Sequence, residues 1–427
     1  MPDFKAMYKT VMDDHFPPDL TISWGDQKLV YRKRAWVIDD DGENIEKGLR
    51  YGENPGQEAA LYELVSGNLS LGDCQFIQPG MGLISCLSEE GLLQFGKHPG
   101  KTNLTDVDSA LNVMRYLDAR PAVMIMKHNN PSGASYGPTA ADAYDRANAA
   151  DRLAAFGGAA VFNVTVDRTA AELMADNYLE VVAAPDYDAA ALGILAKKKN
   201  LRVIRIERLD RIRDYAPLRF VDFKSLMDGG LIVQQSQLNR ITSPAALLPA
   251  EARSRDGAVH TVFRKPDERE VADLLFGWQV EQGVTSNSVL FVKNETTVAI
   301  GAGEQDRVGV AEIAIFKAYK KKADDIAYRR HGMLFFEVEL KEGEGAIPSG
   351  SAAAIRAEAE AEKGGLVGSA AVSDAFFPKR DGIDAIARHG VASVIQPGGS
   401  LADAEIIDAV NQHGMAMVFT GQRAFKH

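Results

Sequence analysis

The chain has 427 residues, which is too long for one small hydrophobic core, so two or three domains are expected. Its contents of 46% hydrophobic and 25% charged residues are those of a soluble globular protein, and its formal net charge of -11 argues against generic nucleic-acid binding. Two cysteines, Cys74 and Cys86, are too few for a metal cluster or a disulfide framework. The amino terminus lacks a signal-peptide pattern, and no apolar run approaches the ~20 residues that span a bilayer. A cytoplasmic protein with no membrane or nucleic-acid partner is therefore predicted.

Residues 1–48 are interpreted as an N-terminal extension, and residues 49–240 as a first α/β unit. In this unit, segments with helical periodicity alternate with buried apolar runs. The predicted helices cover 106–117, 140–150, 168–177 and 189–198, and the predicted strands cover 121–126, 159–162, 179–184 and 201–206. Such an alternation predicts a largely parallel sheet that is covered on both faces.

A second α/β unit is predicted over 266–427, after a linker or edge segment at 241–265 whose first part is rich in Pro, Ala and Ser. Its predicted helices are 267–282, one that starts near 308, 352–363 and 402–412, and its predicted strands are 288–292, 298–301, 391–395 and 415–419. Residues 331–349 are predicted to form an inserted hairpin around the acidic turn Glu342-Gly343-Glu344-Gly345. Two successive units of similar size suggest a duplication.

The stretch Lys127-His128-Asn129-Asn130-Pro131-Ser132-Gly133 follows the buried run 121–126, and its Pro and Gly predict a turn. In an α/β protein, ligand sites collect at the carboxyl ends of inner strands. A Lys beside a His there places a fixed positive charge next to a group that exchanges protons near neutral pH. The alternative is a surface turn with an exposed Lys and a capping His.

Two further loops carry arginines. Arg50 lies in a segment dense in turn formers, and its guanidinium suits a phosphate group, although the loop could also touch no ligand. The string Gly301-Ala302-Gly303-Glu304-Gln305-Asp306-Arg307 lacks the third glycine of a dinucleotide-binding fingerprint and ends in Arg307. A turn whose arginine faces an anionic or carbonyl-bearing ligand and a loop that only caps the following helix both remain open.

With these motifs in order along the chain, the sequence resembles the aminoimidazole carboxamide ribonucleotide (AICAR) transformylases of purine biosynthesis. The resemblance runs from Leu49 to His427. It rests on Arg50-Tyr51-Gly52-Glu53-Asn54-Pro55, Lys127-His128-Asn129-Asn130-Pro131, Ala155-Phe156-Gly157-Gly158, Lys198-Lys199-Asn200, Ser286-Asn287-Ser288, Gly301-Ala302-Gly303, Ser373-Asp374-Ala375-Phe376-Phe377-Pro378 and Gln396-Pro397-Gly398-Gly399-Ser400.

The resemblance implies two cytidine-deaminase-like αβα units in tandem and a homodimer with active sites at its interface. The zinc signature of the deaminases is missing, so no catalytic zinc is expected, while the resemblance allows a structural potassium ion. Most relatives also carry a domain that closes the purine ring. Only 48 residues precede Leu49, so we expect no inosine monophosphate (IMP) cyclohydrolase activity, with ring closure left to another protein.

The family transfers a formyl group from 10-formyltetrahydrofolate to the 5-amino group of AICAR. By resemblance, His128 removes the proton of this weakly nucleophilic amine, Lys127 stabilises charge on the formyl oxygen, and Asn287 hydrogen-bonds the amine or the formyl oxygen. The implied nucleotide-binding residues are Arg50, Tyr51, Asn103, Gly157, Glu180, Lys199, Arg307 and Arg423, with Arg50 and Arg423 as the phosphate clamp. The implied folate-binding residues are Val308, Phe376, Asp381, Ser400 and Leu401.

Two positions depart from the family pattern. Glu180 stands where some relatives have Asp, and Lys379 stands where many have Phe, so that Lys379 either weakens an apolar wall for folate or pairs with its glutamate tail. A formyltransferase with an altered donor or acceptor and a non-catalytic AICAR-binding sensor are the alternatives. The intact Lys127-His128, Asn287 and Arg307 favour an enzyme over a sensor.

Overall fold

The computed structural model describes residues 7–8, 10–40, 43–117 and 119–427, so residues 1–6, 9 and 41–42 of the predicted extension lie outside it. The strands are β1 (Asp19–Trp24), β2 (Gln27–Arg34), β3 (Trp36–Asp40), β4 (Glu43–Lys47), β5 (Leu61–Ser66), β6 (Leu92–Gln94), β7 (Ala122–Lys127), β8 (Asn130–Tyr136), β9 (Ala159–Phe162), β10 (Val181–Ala184), β11 (Arg202–Arg205), β12 (Val221–Ser225), β13 (Leu231–Gln235), β14 (Leu248–Pro249), β15 (Glu251–Arg253), β16 (Val259–Thr261), β17 (Val289–Lys293), β18 (Thr296–Gly301), β19 (Ala370–Ser373), β20 (Ser393–Gln396) and β21 (Ala416–Phe419).

The helices complete a mixed α/β architecture, as predicted. They are α1 (Lys101–Met114), α2 (Ala140–Ala150), α3 (Arg152–Ala155), α4 (Arg168–Ala175), α5 (Ala189–Leu195), α6 (Glu268–Glu281), α7 (Arg307–His331), α8 (Phe335–Gly343), α9 (Ser351–Ala361), α10 (Asp381–Ala387) and α11 (Asp403–Gln412), with 3-10 turns at Ile84–Cys86, Leu209–Tyr215, Pro244–Ala246 and Lys363–Gly365. Within the described ranges, every helix is too short or too polar to cross a membrane.

The first compact unit comprises residues 1–118 and 157–238. In it, β9, β10 and β11 run parallel, and β6 pairs antiparallel with β11. The four residues of β9 and of β10 are all buried apolar residues, which is the pattern of an inner parallel strand. A separate antiparallel sheet, β1-β2-β5, and the hairpins β3–β4 and β12–β13 belong to the same unit. The α/β part of this unit therefore matches its predicted parallel alternation.

The second compact unit comprises residues 119–156 and 239–427. Its strands follow the order β14-β21-β20-β19-β17-β18-β8-β7, in which only β19, β20 and β21 are parallel. Antiparallel pairs join β7 to β8, β8 to β18, β18 to β17 and β17 to β19. The strand predicted at 121–126, which was assigned to the largely parallel sheet of residues 49–240, therefore lies in an antiparallel arrangement instead, because a tight hairpin joins β7 to β8.

The contact boundaries differ from the predicted domains, since residues 119–156 pack with the second unit rather than with residues 49–118. The segment 241–265 supplies an edge strand, β14, and the hairpin β15–β16, which agrees with the edge interpretation more than with a free linker. The tandem cytidine-deaminase-like arrangement and the predicted domain limits stay predictions.

Residues 331–349 do not form the predicted hairpin. The long helix α7 ends at His331 with Gly332 in a left-handed conformation, and α8 begins shortly afterwards. Glu337 accepts a hydrogen bond from the Leu334 backbone N–H at 2.8 Å, which stabilises the start of α8. Val338 packs in an apolar cluster with residues of α7 and α9, so helix packing decides the conformation of this segment.

Gly133 is predicted to be essential for the packing of β8 on α2. A Cβ atom at Gly133 would lie 2.0 Å from the Ala147 carbonyl oxygen. Gly133→Ala is therefore expected to lower the free energy of unfolding by about 1–3 kcal/mol, measured by urea denaturation. The matched control is Gly193→Ala in α5, where no atom lies within 4 Å, and there we expect a gain of about 0.5–1 kcal/mol. Equal midpoints for Gly133→Ala and the parent would contradict the close approach.

Candidate active site

In the first unit, Arg50 is held against an aromatic ring. Its guanidinium lies 4.5 Å from the centre of the Tyr51 ring, and its Nη2 donates to the Tyr51 hydroxyl at 3.0 Å. The side chain is only 6% exposed, and its Nε has no hydrogen-bond partner among the described residues. A buried guanidinium with a free donor is suited to an anionic group of a ligand.

A second guanidinium, that of Arg202, lies in the same cluster. Arg202 is 1% exposed at the start of β11, and its Nη1 lies 3.5 Å from Glu180 Oε2. The same carboxylate oxygen accepts a hydrogen bond from Asn103 Nδ2 at 2.9 Å. Burial, and after it the charge of Arg50, lowers the pKa of Arg202 to about 10. Two guanidiniums against one carboxylate leave the cluster net positive, which favours an anionic ligand.

Arg202 is a residue that the sequence analysis missed. The sequence carried no clear signal for it, because β11 has an arginine at each end and a charged residue at a strand end is ordinarily exposed. Gly157, by contrast, was predicted, and it takes a left-handed φ of 77° in the turn before β9, where its N–H donates to the Tyr178 carbonyl at 2.7 Å. Tyr178 and Lys199 line a neighbouring cavity of about 310 Å³ in the same unit.

In the second unit, the turn between β7 and β8 is formed by His128 and Asn129, whose φ angles are 55° and 60°. The predicted turn at Pro131 and Gly133 is wrong, since both residues lie within β8. Non-glycine residues with positive φ carry strain that is common at functional sites. The exposed His128 and its neighbour Lys127 line a cavity of about 180 Å³, and Lys127 Nζ donates to the Phe156 carbonyl at 2.6 Å.

This turn is tied to the segment that precedes β17. Asn130 Oδ1 accepts a hydrogen bond from the Thr285 backbone N–H at 2.8 Å. Lys426 Nζ donates to the Asn129 carbonyl at 2.5 Å and to the Gly283 carbonyl at 2.8 Å. The Lys127-His128 turn and the segment that leads to Asn287 are therefore held together.

Asn287 has its side-chain amide fixed from both ends. Arg307 Nη2 donates to Asn287 Oδ1 at 2.9 Å, and Asn287 Nδ2 donates to the Gln305 carbonyl at 3.0 Å. Arg307 Nη1 forms an ion pair with the fully buried Asp374 and donates to the Ser288 carbonyl at 2.8 Å. These two contacts fix the orientation of the Asn287 side-chain amide and leave its second N–H to donate to a ligand.

Apolar side chains line another cavity of the second unit, of about 350 Å³. Phe376 is 38% exposed and shares this cavity with Arg423, whose guanidinium stacks over Phe425 at 4.3 Å. The turn after β20 borders it, and there Gly398 has φ 72° and approaches Phe419 so closely that a Cβ would lie 2.6 Å from that ring. An open, partly apolar cavity with one arginine suits an aromatic ligand that carries a negative charge.

The family described as AICARFT/IMPCHase bienzyme matches residues 31–317, which is more than half of the chain. The chain belongs to this family. It is 37% identical over 380 residues to the bifunctional purine biosynthesis protein PurH of Xanthomonas oryzae pv. oryzae (strain KACC10331 / KXO85), and this match covers 89% of the chain and 58% of that protein. It is 35% identical over 380 residues to PurH of Persephonella marina, with 89% and 59% covered. The chain therefore spans less than two thirds of the length of these curated relatives.

The resemblance to the AICAR transformylases is confirmed at the level of the family. The expected lack of a cyclohydrolase and the individual residue roles stay predictions. Eight of the predicted site residues lie together in four pairs: Arg50 with Tyr51, Asn103 with Glu180, Asn287 with Arg307, and Phe376 with Arg423. The last pair joins a residue predicted for folate with one predicted for the nucleotide. The Lys127-His128 pair and the Phe376-Arg423 pair line two different cavities.

The remaining predicted folate residues lie on helix starts and turns of the second unit. Val308 is in the first turn of α7, and Asp381 begins α10 with its carboxylate accepting from the Gly382 N–H at 2.8 Å. Ser400 donates its backbone N–H to Asp403 at 3.1 Å, and Leu401 is 97% exposed. All four residues are at least partly exposed, so a ligand can reach them.

Among the residues described, no three His, Cys, Asp or Glu side chains are grouped to hold a metal ion. The structural potassium ion and the expectation of no zinc both stay predictions.

Proposed function

We propose that the chain transfers the formyl group of 10-formyltetrahydrofolate to the 5-amino group of AICAR, giving formyl-AICAR and tetrahydrofolate in the synthesis of IMP. The observation that best supports the proposal is the set of hydrogen bonds that hold the Lys127-His128 turn beside the segment leading to Asn287, whose side-chain amide is fixed by Arg307. These three side chains supply a base, a cation and an oriented donor, which are the groups that acyl transfer to a weak amine requires.

The transfer step balances with these residues. The amine nitrogen of AICAR attacks the formyl carbon, and the imidazole of His128 takes the proton that the amine loses. The bond from the formyl carbon to N10 of the folate then breaks, and the imidazolium returns this proton to N10, so that tetrahydrofolate leaves with an N10–H. Lys127 Nζ uses one of its three N–H bonds on Phe156 and keeps the others for the developing charge on the formyl oxygen. Asn287 offers its free N–H to the same oxygen or to the amine.

The nucleotide is proposed to bind through the cationic cluster of the first unit. Arg50 and Arg202 would meet the phosphate, and the Asn103–Glu180 pair would meet hydroxyl groups of the ribose. Tyr51, Gly157 and Lys199 are proposed to border the nucleotide, and Arg423 is proposed as a phosphate contact on the family resemblance alone. Arg307 contributes through its hold on Asn287.

The folate is proposed to lie against the apolar side of the second unit. The exposed Phe376 ring suits stacking on the pterin or benzoyl ring. Val308, Asp381, Ser400 and Leu401 are proposed to surround it, and the exposed Lys379 is available to the glutamate tail. We further propose a cytoplasmic homodimer with active sites at its interface, as the family resemblance implies.

The proposal predicts one product. Purified protein with AICAR and 10-formyltetrahydrofolate is expected to release tetrahydrofolate and formyl-AICAR, with no IMP, as followed by absorbance and chromatography of the nucleotide. Formation of IMP would show that this chain also closes the ring. AICAR binding without turnover would contradict the proposal, and it would favour first an altered formyl donor and then the AICAR-binding sensor.

A further inference from the structure

A buried carboxyl group that the proposed transfer does not use lies behind Asn287. Glu281, the last residue of α6, is 0% exposed. Its Oε1 accepts a hydrogen bond from the Ser288 hydroxyl at 2.8 Å. Its Oε2 is buried without a well-aligned hydrogen bond among the residues described, although the Asp374 backbone N–H lies near the carboxyl group. A charged oxygen in that position would be expensive, since a buried carboxylate is normally paired and hydrogen-bonded.

The charged groups that face Glu281 are Asp374 and Arg307. Burial, and after it the negative charge of Asp374, raises the pKa of Glu281 well above its ordinary range, while the Ser288 hydroxyl, the charge of Arg307 and the Asp374 backbone N–H oppose the shift. Asp374 already holds the cation, because Arg307 Nη1 binds one of its carboxylate oxygens and the Ser286 hydroxyl donates to the other. With Glu281 neutral, the cluster contains one positive and one negative charge.

Glu281 is connected to Asn287 through two residues. Its carboxyl group fixes the Ser288 hydroxyl, and the carbonyl of Ser288 accepts from Arg307 Nη1 at 2.8 Å. Arg307 in turn donates from Nη2 to the Asn287 amide at 2.9 Å. A change at Glu281 is therefore transmitted to the orientation of the one amide N–H that is free for a ligand.

We propose that Glu281, held as the neutral acid, is a positioning residue that keeps Arg307 and Asp374 as a balanced pair and thereby orients Asn287 for formyl transfer. This inference rests on the proposed function only in its last step, the orientation of Asn287 for formyl transfer. The neutrality of Glu281 is a property of the folded protein, and it is measurable without any substrate.

Two substitutions separate the effect of a charge at Glu281 from the effect of its hydrogen bond with Ser288. Glu281→Gln keeps the acceptor for Ser288 and stays neutral, so kcat is expected within about threefold of the parent. Glu281→Met removes that acceptor at similar length, so kcat is expected to fall about tenfold or more while the KM for AICAR stays within about threefold. Loss of activity in Glu281→Gln, or a rise in KM with unchanged kcat in Glu281→Met, would overturn the positioning role.

The protonation state has its own readout. The infrared difference spectrum between the parent and Glu281→Gln at pH 8 is expected to show the loss of a carbonyl band from a protonated carboxylic acid. Loss of carboxylate bands instead would show that Glu281 is ionised and would overturn the inference. If the parent protein shows no formyl transfer, the proposed function and the positioning role both fail. The infrared band still tests whether Glu281 is protonated, so this failure can be told apart from a wrong assignment of the buried acid.

Melting temperatures supply a matched control within the same helix. Glu270 is 2% exposed and binds Arg264 through two hydrogen bonds of 2.8 and 2.9 Å, so Glu270→Gln is expected to lower the melting temperature at pH 8.

The folded parent keeps a proton on Glu281 that the unfolded chain loses, so its stability falls as pH rises above the ordinary glutamate range. Glu281→Gln lacks this loss, and its melting temperature relative to the parent is expected to rise from pH 5 to pH 8. An unchanged or falling difference would contradict a neutral Glu281.

Discussion

His128→Ala is expected to lower kcat for formyl transfer by about 10²–10⁴-fold, because it removes the group that takes the proton from the attacking amine. The lone pair of that amine is delocalised into an imidazole ring bearing a carboxamide, so attack without proton removal would create an unstable ammonium. The exposed imidazole of His128 stands at the turn that is tied to the Asn287 segment. Steady-state kinetics with saturating 10-formyltetrahydrofolate measures the effect, and the KM for AICAR is expected to change less than about threefold.

The control for this substitution is His331→Ala. His331 is the last residue of α7, where its loss removes at most a favourable interaction with the helix dipole. That variant is expected to keep the parent kcat. His128→Gln, which can hydrogen-bond but cannot take up a proton at neutral pH, should be as slow as His128→Ala. Full turnover in either His128 variant would remove the base from the proposed mechanism and leave Lys127 and Asn287 as the groups to test next.

Those parts of the fold that depend on local patterns could be predicted from the sequence. The bounds of the helix Ala140–Ala150 and of the strand Ala159–Phe162 agree with the prediction, since Thr139 caps the helix start and the strand is one short apolar run. Asn287 and Arg307 come together for a related reason. They flank the hairpin of β17 and β18, whose pairing places Val289 opposite Gly301.

The turn at the centre of the candidate site shows where local rules fail. Pro131 and Gly133 are turn formers, yet both lie in β8, and Gly133 is needed there so that α2 can approach the strand. His128 and Asn129 take the left-handed conformations instead, which asparagine tolerates better than most residues. The close approach of a helix from residue 140 onwards is tertiary information that the heptapeptide alone does not contain.

Buried charges were the other part that the sequence did not reveal. Arg202 and Glu281 each stand at one end of a regular element, where a polar residue is ordinarily exposed. Whether such a residue is buried depends on groups that lie far along the chain, such as the His98 carbonyl that accepts from Arg202 at 3.3 Å and the Asp374 carboxylate that faces Glu281. Motifs at strand ends therefore located candidate ligand contacts, while the residues that hold those contacts in place required the folded structure.

Arg307→Met is expected to lower the free energy of unfolding by about 3–5 kcal/mol, because it leaves the fully buried carboxylate of Asp374 without its cation. The same change removes the donor that holds Asn287 Oδ1, so kcat is expected to fall by about 10²-fold or more. Urea denaturation and steady-state kinetics measure the two effects on the same preparation. The surface pair of Arg356 and Glu339, at 2.6 Å, gives the comparison, and Arg356→Ala should cost less than about 1 kcal/mol with unchanged kcat.

The double variant Arg307→Met/Asp374→Asn separates the two losses. With no buried charge left unpaired, it is expected to recover most of the stability that Arg307→Met loses, so the two substitutions should be strongly non-additive. Activity should not recover, because neither methionine nor asparagine replaces the Nη2 donor to Asn287. Recovery of both stability and kcat would show that Arg307 matters only for charge balance. Recovery of neither would show that the packing of the guanidinium, rather than its pairing with Asp374, holds this part of the second unit together.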